Sequence, residues 1–180
     1  IDDNTTTKLL QNADSNEAFK DSILRVQVTA ECAAIWASLN DQILGETLNF
    51  STSIDGIGRC FLLASLFNHV QLGDSTVIGI LHDLNELSKF PLICPYALFS
   101  LSTIFSVYSL RLVELSVADM QFPFLLSIIH NNQLSLSPFN LYYISNAFIK
   151  LLPIISPEIK GSIAEPYVKL LIQCFCNTLP

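Results

Sequence analysis

The sequence predicts an all-α fold, arranged as an α-solenoid of stacked antiparallel helix pairs with a period of about 43 residues. Three observations predict it: apolar residues recur at helical spacing along most of the chain, strand signals are weak, and short blocks repeat at one offset. The composition agrees, because 51% of the 180 residues are apolar and only 14% are charged. A chain this rich in apolar residues is not intrinsically disordered.

The first predicted helix covers residues 17–39 and follows a polar segment, residues 1–16, that we expect to be a loop or a short frayed helix. Two apolar stripes along this helix are interpreted as one broad buried face. The stripes are Phe19, Ile23, Val26, Ala30, Ala33 and Ala37, and Leu24, Val28, Cys32, Ile35 and Leu39. Trp36, the only tryptophan, is predicted to be largely buried on the inward side of this helix.

Six more helices are predicted between capping, glycine and proline signals. Their approximate ranges are 55–73, 74–90, 95–108, 110–131, 137–152 and 162–177. Ser53 or Asp55 can cap the first of these, Pro123 is expected to interrupt the fourth, and the last runs across Pro166. Since every connection is short, neighbouring helices must pack antiparallel as hairpins.

Two pairs of blocks repeat at an offset of 43 residues. The block Pro95–Ser102 shares its proline, leucine and final serine with Pro138–Ser145, and the block that begins at Pro123 corresponds to the one that begins at Pro166. A period of about 40 to 47 residues with two helices per unit is typical of HEAT or armadillo repeats. We therefore predict a HEAT-type solenoid over residues 17–180, with about 3.5 to 4 helical pairs.

The chain starts at Ile1 without a signal-like segment, so we expect it to be a piece of a longer solenoid. Such a piece has two apolar ends that adjoining repeats would cover. We expect self-association of the isolated fragment through residues 17–39 and 162–177. Because the formal charge is -7 and the pI is about 4.7, this association should be stronger near pH 5 than near pH 8.

The charge balance and the cysteines exclude several function classes. Sixteen acidic residues against nine basic ones give the wrong sign for a nucleic-acid partner or a polybasic membrane patch. An odd number of cysteines in apolar segments indicates buried, reduced thiols in a cytoplasmic compartment. The cysteines are Cys32, Cys60, Cys94, Cys174 and Cys176.

Two uncharged stretches, residues 90–110 and 120–149, are long enough to span a membrane by length alone. Prolines and hydroxyl residues interrupt the first stretch, and Asn, Gln and Pro138 interrupt the second. No cluster of Lys and Arg flanks either one. A helical membrane protein stays open as the alternative from a different class, and the solenoid is preferred.

No pattern predicts a catalytic, cofactor or metal site, so the chain is predicted not to be an enzyme. Three histidines lack a second ligand at helical spacing: His69, His82 and His130. The Gly56–Gly58 segment lacks the strand and third glycine of a phosphate-binding turn, so we interpret it as a loosened helix start. Asp83 and Glu86 lie one turn apart, but the following Lys89 makes a solvated helix face the simpler interpretation.

Three segments carry a resemblance to a known family: residues 25–34 (RVQVTAECAA), 96–104 (YALFSLSTI) and 155–161 (ISPEIKG). In order and spacing they resemble two helices and a proline-glutamate turn of the HEAT repeat-containing protein five family. These are large accessory proteins of the clathrin adaptor of the trans-Golgi network and endosomes. The resemblance carries over no site residue.

The resemblance implies a cytoplasmic, non-enzymatic scaffold that recruits or stabilises the clathrin adaptor complex through smaller accessory subunits. It implies a peripheral position at the trans-Golgi network, endosomes or clathrin-coated vesicles, with membrane association only through partners. The residues alone leave open a HEAT solenoid of another assembly, such as a transport receptor or a regulatory subunit.

Overall fold

The computed structural model describes residues 3–54, 56–130, 138–161, 165, 168–169 and 172. Over these residues the backbone is helical and forms no strand, so the all-α prediction is confirmed. The helices are α1 (Asp3–Ala37), α2 (Asp41–Ser51), α3 (Gly56–His69), α4 (Asp74–Leu87), α5 (Cys94–Val107), α6 (Ser109–Glu114), α7 (Ala118–His130) and α8 (Pro138–Leu151). Residues 157–161 are helical as well.

Two helices start at a proline signal, as the sequence predicts. Pro95 lies in the first turn of α5, and Pro138 is the first residue of α8. A proline is tolerated there because its missing N–H would have no intrahelical partner. Both prolines therefore lie in the first turn of a helix, as predicted, and their equivalence under superposition stays a prediction. The companion match to Pro166 lies outside the described residues.

Helix α1 is longer than predicted. It runs without a break from Asp3, so the boundary expected between residues 16 and 17 lies inside it, and residues 3–16 are not a separate loop. Extending an existing helix costs far less than nucleating one, so the packed part of α1 can propagate helix into a polar segment.

Helix α2 is absent from the sequence prediction. The side-chain oxygen of Asn40 accepts a hydrogen bond from the backbone N–H of Ile43 at 2.9 Å, which caps the helix. Asp41 in the first turn adds a favourable interaction with the helix dipole. The capping pair at residues 40–41 is therefore the signal that apolar periodicity misses.

Of the two residues predicted to cap α3, Ser53 does not do so. The hydroxyl of Ser53 donates a hydrogen bond to the carbonyl of Phe50 at 2.7 Å and thus serves the end of α2. The other capping candidate, Asp55, lies outside the described residues. Helix α3 begins at Gly56, as expected for a loosened helix start.

The interruption expected at Pro123 lies elsewhere. Pro123 is exposed inside α7, and the chain breaks instead at Ser116, whose φ of 56° is left-handed. The N–H of Val117 donates to the carbonyl of Leu112 and that of Ser116 to Val113, which is the Schellman arrangement at a helix end. This turn at Ser116 therefore ends α6 and separates it from α7.

The helices α1, α3, α5 and α8 form a row in which each packs along the next. Helix α2 contacts α1 and α3, α4 contacts α3 and α5, and α7 contacts α8. The main core lies along this row, and its largest fully buried side chains are Leu63, Leu66, Leu81, Leu84, Leu98, Leu101, Ile104, Phe105, Leu112, Phe122 and Leu125.

The two stretches that meet the length criterion for a membrane span are divided among shorter helices. Over the part of the chain that the structure describes, no helix combines the length and apolar character needed to cross a membrane.

Candidate interaction surfaces

The two apolar stripes of α1 lie on opposite sides of the helix. Val28 and Ala37, nine residues apart, are separated by about 180° at 100° per residue. Ala30, Ala34 and Ala37 are buried, and Ala30 packs with Phe61 on α3. The alanine side therefore faces the row, and the opposite side faces away from it.

We call the opposite side the outer stripe, and it consists of Leu24, Val28, Cys32, Ile35 and Trp36 on α1 together with Leu39 in the turn that follows the helix. The exposed fractions of its five large apolar residues lie between 49% and 61%, and Cys32 is exposed. The predicted burial of Trp36, which is 61% exposed, is therefore wrong, as is the single broad buried face. Helix α3 covers only one side of α1, so the second stripe has no partner within the described residues.

Polar contacts join the end of α3 to α1, and the end of α5 to the segment that follows α3. Nε2 of His69 lies 2.5 Å from Oε1 of Glu31, 38 residues earlier. The hydroxyl of Tyr108 donates to the carbonyl of Val70 and accepts from the N–H of Leu72, both at 3.2 Å. These contacts fall where the end of one row helix meets its neighbour, so they help to fix the relative position of neighbouring helices.

Further contacts repeat the same relation. Arg111 forms an ion pair with Asp74, 37 residues earlier, and Asp119 accepts a hydrogen bond from the N–H of Ser156, 37 residues later. Inside the row, Ser100 donates to the carbonyl of Cys60 at 2.8 Å across 40 residues. The sequence separations of these three contacts are therefore close to one another, between 37 and 40 residues.

The surroundings of Glu31 and Cys94 shift their pKa values in different ways. Burial alone would raise the pKa of Glu31, but hydrogen bonds from His69 and Ser65 and the charge of His69 outweigh burial and lower it. Burial raises the pKa of Cys94 to about 12, so this thiol stays protonated at neutral pH.

The cysteines divide by exposure. Cys60 and Cys94 are buried thiols, as predicted, whereas Cys32 is exposed on the outer stripe, so its predicted burial is wrong. Cys174 and Cys176 lie outside the described residues.

The acidic pair on α4 is divided between two basic partners. Asp83 pairs with Arg59 on α3, and Glu86 pairs with Lys89 at 2.5 Å. Because Asp83 is turned to a second helix, the expectation that both carboxylates belong to one solvated face holds only for Glu86. The sequence pattern does not predict Arg59 as the partner of Asp83, because the two residues lie 24 positions apart.

The histidines are dispersed among different helices. His69 is engaged by Glu31 on α1, and His82 is exposed on α4. His130 is the last residue of α7. Among the described residues, no group of three or more His, Cys, Asp or Glu is placed to hold a metal ion.

Two apolar grooves lie beside α1. One of about 530 Å³ separates α1 from the segment before α5 and is lined by Ile23, Val26, Ile57, Phe90 and Leu92 among others. Gly56 borders it, and a Cβ at that position would overlap the side chain of Ile93. The second groove has a volume of about 350 Å³. It is lined by residues of α1, including Ala33, and by Phe50 and Ile54 near the end of α2.

The surfaces above consist of apolar side chains and paired charges, an arrangement suited to protein contacts. Comparison of the chain with protein-family models, with curated proteins and with solved structures finds no match in any of the three.

Proposed function

We propose that the chain is a non-enzymatic helical-repeat scaffold of the HEAT type that acts in clathrin-adaptor-dependent vesicle traffic between the trans-Golgi network and endosomes. The observation that carries the scaffold part is the row α1, α3, α5 and α8 with intervening helices packed beside it. Stacked units of this kind create long surfaces that can hold several proteins at once.

The spacing of the units supports the repeat assignment. Helices α3, α5 and α8 begin 38 and 44 residues apart, and the polar contacts between units span 36 to 44 residues. The upper value comes from Asn146, whose amide donates to the hydroxyl of Ser102 at 3.2 Å between α8 and α5. These separations bracket the offset of 43 residues and overlap the period of about 40 to 47 residues that HEAT units use.

The trafficking assignment rests on the resemblance of residues 25–34, 96–104 and 155–161 to the adaptor-associated family. Its partners are accordingly the clathrin adaptor complex and smaller accessory subunits. The protein is then cytoplasmic and reaches trans-Golgi, endosomal or coated-vesicle membranes only through those partners. The uncovered outer stripe of α1 and the groove near Leu92, which is 85% exposed, offer apolar contact surface for such an assembly.

The test is quantitative co-purification of the tagged chain from cells. Adaptor subunits should be enriched over a tag-only control, and Leu92→Asp should reduce their recovery more than Leu110→Asp, an equivalent change at an exposed residue of α6. Recovery of a different assembly without the adaptor would overturn the trafficking assignment and favour a scaffold of that assembly.

A second measurement addresses the membrane alternative. The full chain is partitioned between a detergent phase and an aqueous phase after cell lysis. We expect it in the aqueous phase, since a peripheral scaffold exposes no lipid-spanning surface. Quantitative recovery in the detergent phase would contradict the scaffold proposal and favour an integral membrane protein.

A further inference from the structure

A polar contact attaches α1 to the end of α3 beside a seam of small apolar residues. Nε2 of His69, the last residue of α3, lies 2.5 Å from Oε1 of Glu31 on α1. On the same stretch of α1, Ala30 and Ala34 are buried. Because alanine side chains bury little apolar area, the polar pair supplies a larger share of the attachment here than it would beside large apolar residues.

Two negative features lie next to the imidazole ring of His69. One is the carboxylate of Glu31, and the other is the carbonyl end of α3, whose dipoles favour a cation. Burial raises the pKa of Glu31, but hydrogen bonds from His69 and Ser65 and the charge of His69 lower it overall, so Glu31 is ionised above about pH 5. Both features therefore attract a charged ring more strongly than a neutral one.

The helices that contact α3 carry other titratable or charged groups, but these differ in their response to pH. Together with the remaining groups of α3 itself, those on α2, α4 and α5 are Asp41, Glu46, Arg59, Cys60, Asp74, His82, Asp83, Glu86, Cys94 and Tyr96. Histidine is the residue type in this set whose charge ordinarily changes between pH 5 and pH 8. His82 is exposed on α4 and acts on Glu86 of the same helix. The charge that changes in contact with Glu31 is therefore that of His69.

We propose that the pair of Glu31 and His69 is a pH-dependent switch, which holds α1 against the end of α3 while His69 is protonated and loosens this attachment when the proton is lost. Between about pH 5 and pH 6 the pair joins two opposite charges, because a carboxylate is ionised there and an imidazole carries a proton. Near pH 8 the neutral ring retains a hydrogen bond but not the attraction between charges. Acidification below about pH 4 protonates Glu31 and removes the ion pair again, so the attachment is strongest between these limits.

The switch acts on the second apolar groove, because α1 forms one wall of it. Ala30 and Ala33, close to Glu31 in the sequence of α1, line this groove together with Leu62 of α3. Loosening α1 changes the distance between these walls and therefore the shape of the groove. The inference does not rest on the proposed function: failure to recover the adaptor would leave it intact, and a contact that ignores pH would leave the scaffold proposal intact.

The experiment is hydrogen exchange of the amides of residues 25–37 in the full chain, at about pH 5.5 and about pH 8, at concentrations where sedimentation shows a monomer. Rates in Glu31→Gln are divided by rates in the unmodified chain at the same pH, which removes the chemical effect of pH on exchange. The side chains of His69 and Glu31 are 29% and 41% exposed, so we expect a modest ratio of about two- to fivefold at the lower pH and a ratio near one at the higher pH. Equal ratios at both pH values, or no acceleration at the lower pH, would overturn the proposal.

Two further variants separate the proton on His69 from other effects of pH. In a His69→Gln background, Glu31→Gln should have the same effect at both pH values, since no imidazole remains to be titrated. Glu114→Gln removes an ion pair with Arg111, whose charge is constant over this range, so its effect on exchange in α6 should not depend on pH. Circular dichroism verifies that every variant folds. A pH-dependent effect of Glu31→Gln that persists without His69 would assign the response to another group and contradict the proposal.

Discussion

Replacing Trp36 with alanine should cost little stability in the monomeric chain. Substituting alanine for a fully buried Phe or Trp typically costs about 3 to 5 kcal/mol. Trp36 is 61% exposed, so roughly two fifths of it is shielded, and we expect a loss of about 1 to 2 kcal/mol. Phe105 on α5 is 1% exposed, so Phe105→Ala should show the full cost and serves as the buried reference.

The assay is urea unfolding followed by far-ultraviolet circular dichroism, because the variant lacks the only tryptophan. The free energies of unfolding are compared using one common slope of free energy against urea concentration. A change in the midpoint then reports a change in stability and not a change in the denatured state. Protein is kept at concentrations where sedimentation shows a monomer, since the self-association expected through residues 17–39 would shield Trp36 from solvent. The emission maximum of the unmodified chain at the same dilution should be close to that of solvent-exposed tryptophan.

A loss of 3 kcal/mol or more for Trp36→Ala in the monomer, together with a blue-shifted emission of the unmodified chain, would refute this reasoning. That result would mean that the outer stripe is covered within one chain.

Further expectations concern single positions and the whole chain. Gly56→Ala should lower stability because the added methyl group overlaps the side chain of Ile93. Gly79→Ala should instead stabilise α4 by up to about 1 kcal/mol, because no other atom lies within 4 Å of the added methyl group; thermal unfolding compares the two variants. Tyr108→Phe removes the two hydrogen bonds between units and should cost about 1 to 2 kcal/mol in urea unfolding. In the folded chain at pH 8, a maleimide should modify the exposed Cys32 rapidly and Cys94 only after unfolding, because burial raises the pKa of Cys94 to about 12. Peptide mass spectrometry identifies the modified cysteines, and equal rates of modification would contradict the burial of Cys94. Self-association measured by sedimentation should be stronger at pH 5 than at pH 8, since the formal charge of -7 falls toward zero near the pI of about 4.7; no change between the two values would mean that net repulsion is not limiting.

Local sequence signals predicted the elements whose start or stop is encoded nearby. Pro95 and Pro138 mark the beginnings of α5 and α8, and Asp74 marks that of α4. These positions are predictable because helix hydrogen bonds close within four residues and helix ends are determined by neighbouring side chains. Helix α2 was missed because its start depends on a cap at Asn40 and not on a long apolar stripe.

The contact surfaces needed information that no local window contains. Arg59 and Asp83 pair across 24 residues, and Tyr108 forms hydrogen bonds with Val70 and Leu72 across 38 and 36 residues. The offset of 43 residues indicated stacked units, but not which side chains would meet between them. Such pairs depend on the relative placement of helices, which the packing of the core determines.

The sequence by itself determined that this chain is helical, where most of its helices begin, and that α1 carries two apolar stripes. Only the tertiary structure decided that the alanine stripe packs on α3 while the stripe with Trp36 stays uncovered. The physical reason is that hydrophobic burial does not depend on direction, so an apolar pattern along one helix does not determine which stripe a neighbouring helix will cover. The small alanine side chains permit the close approach of a neighbouring helix, and that approach leaves the larger residues of the opposite side without a partner within the described chain.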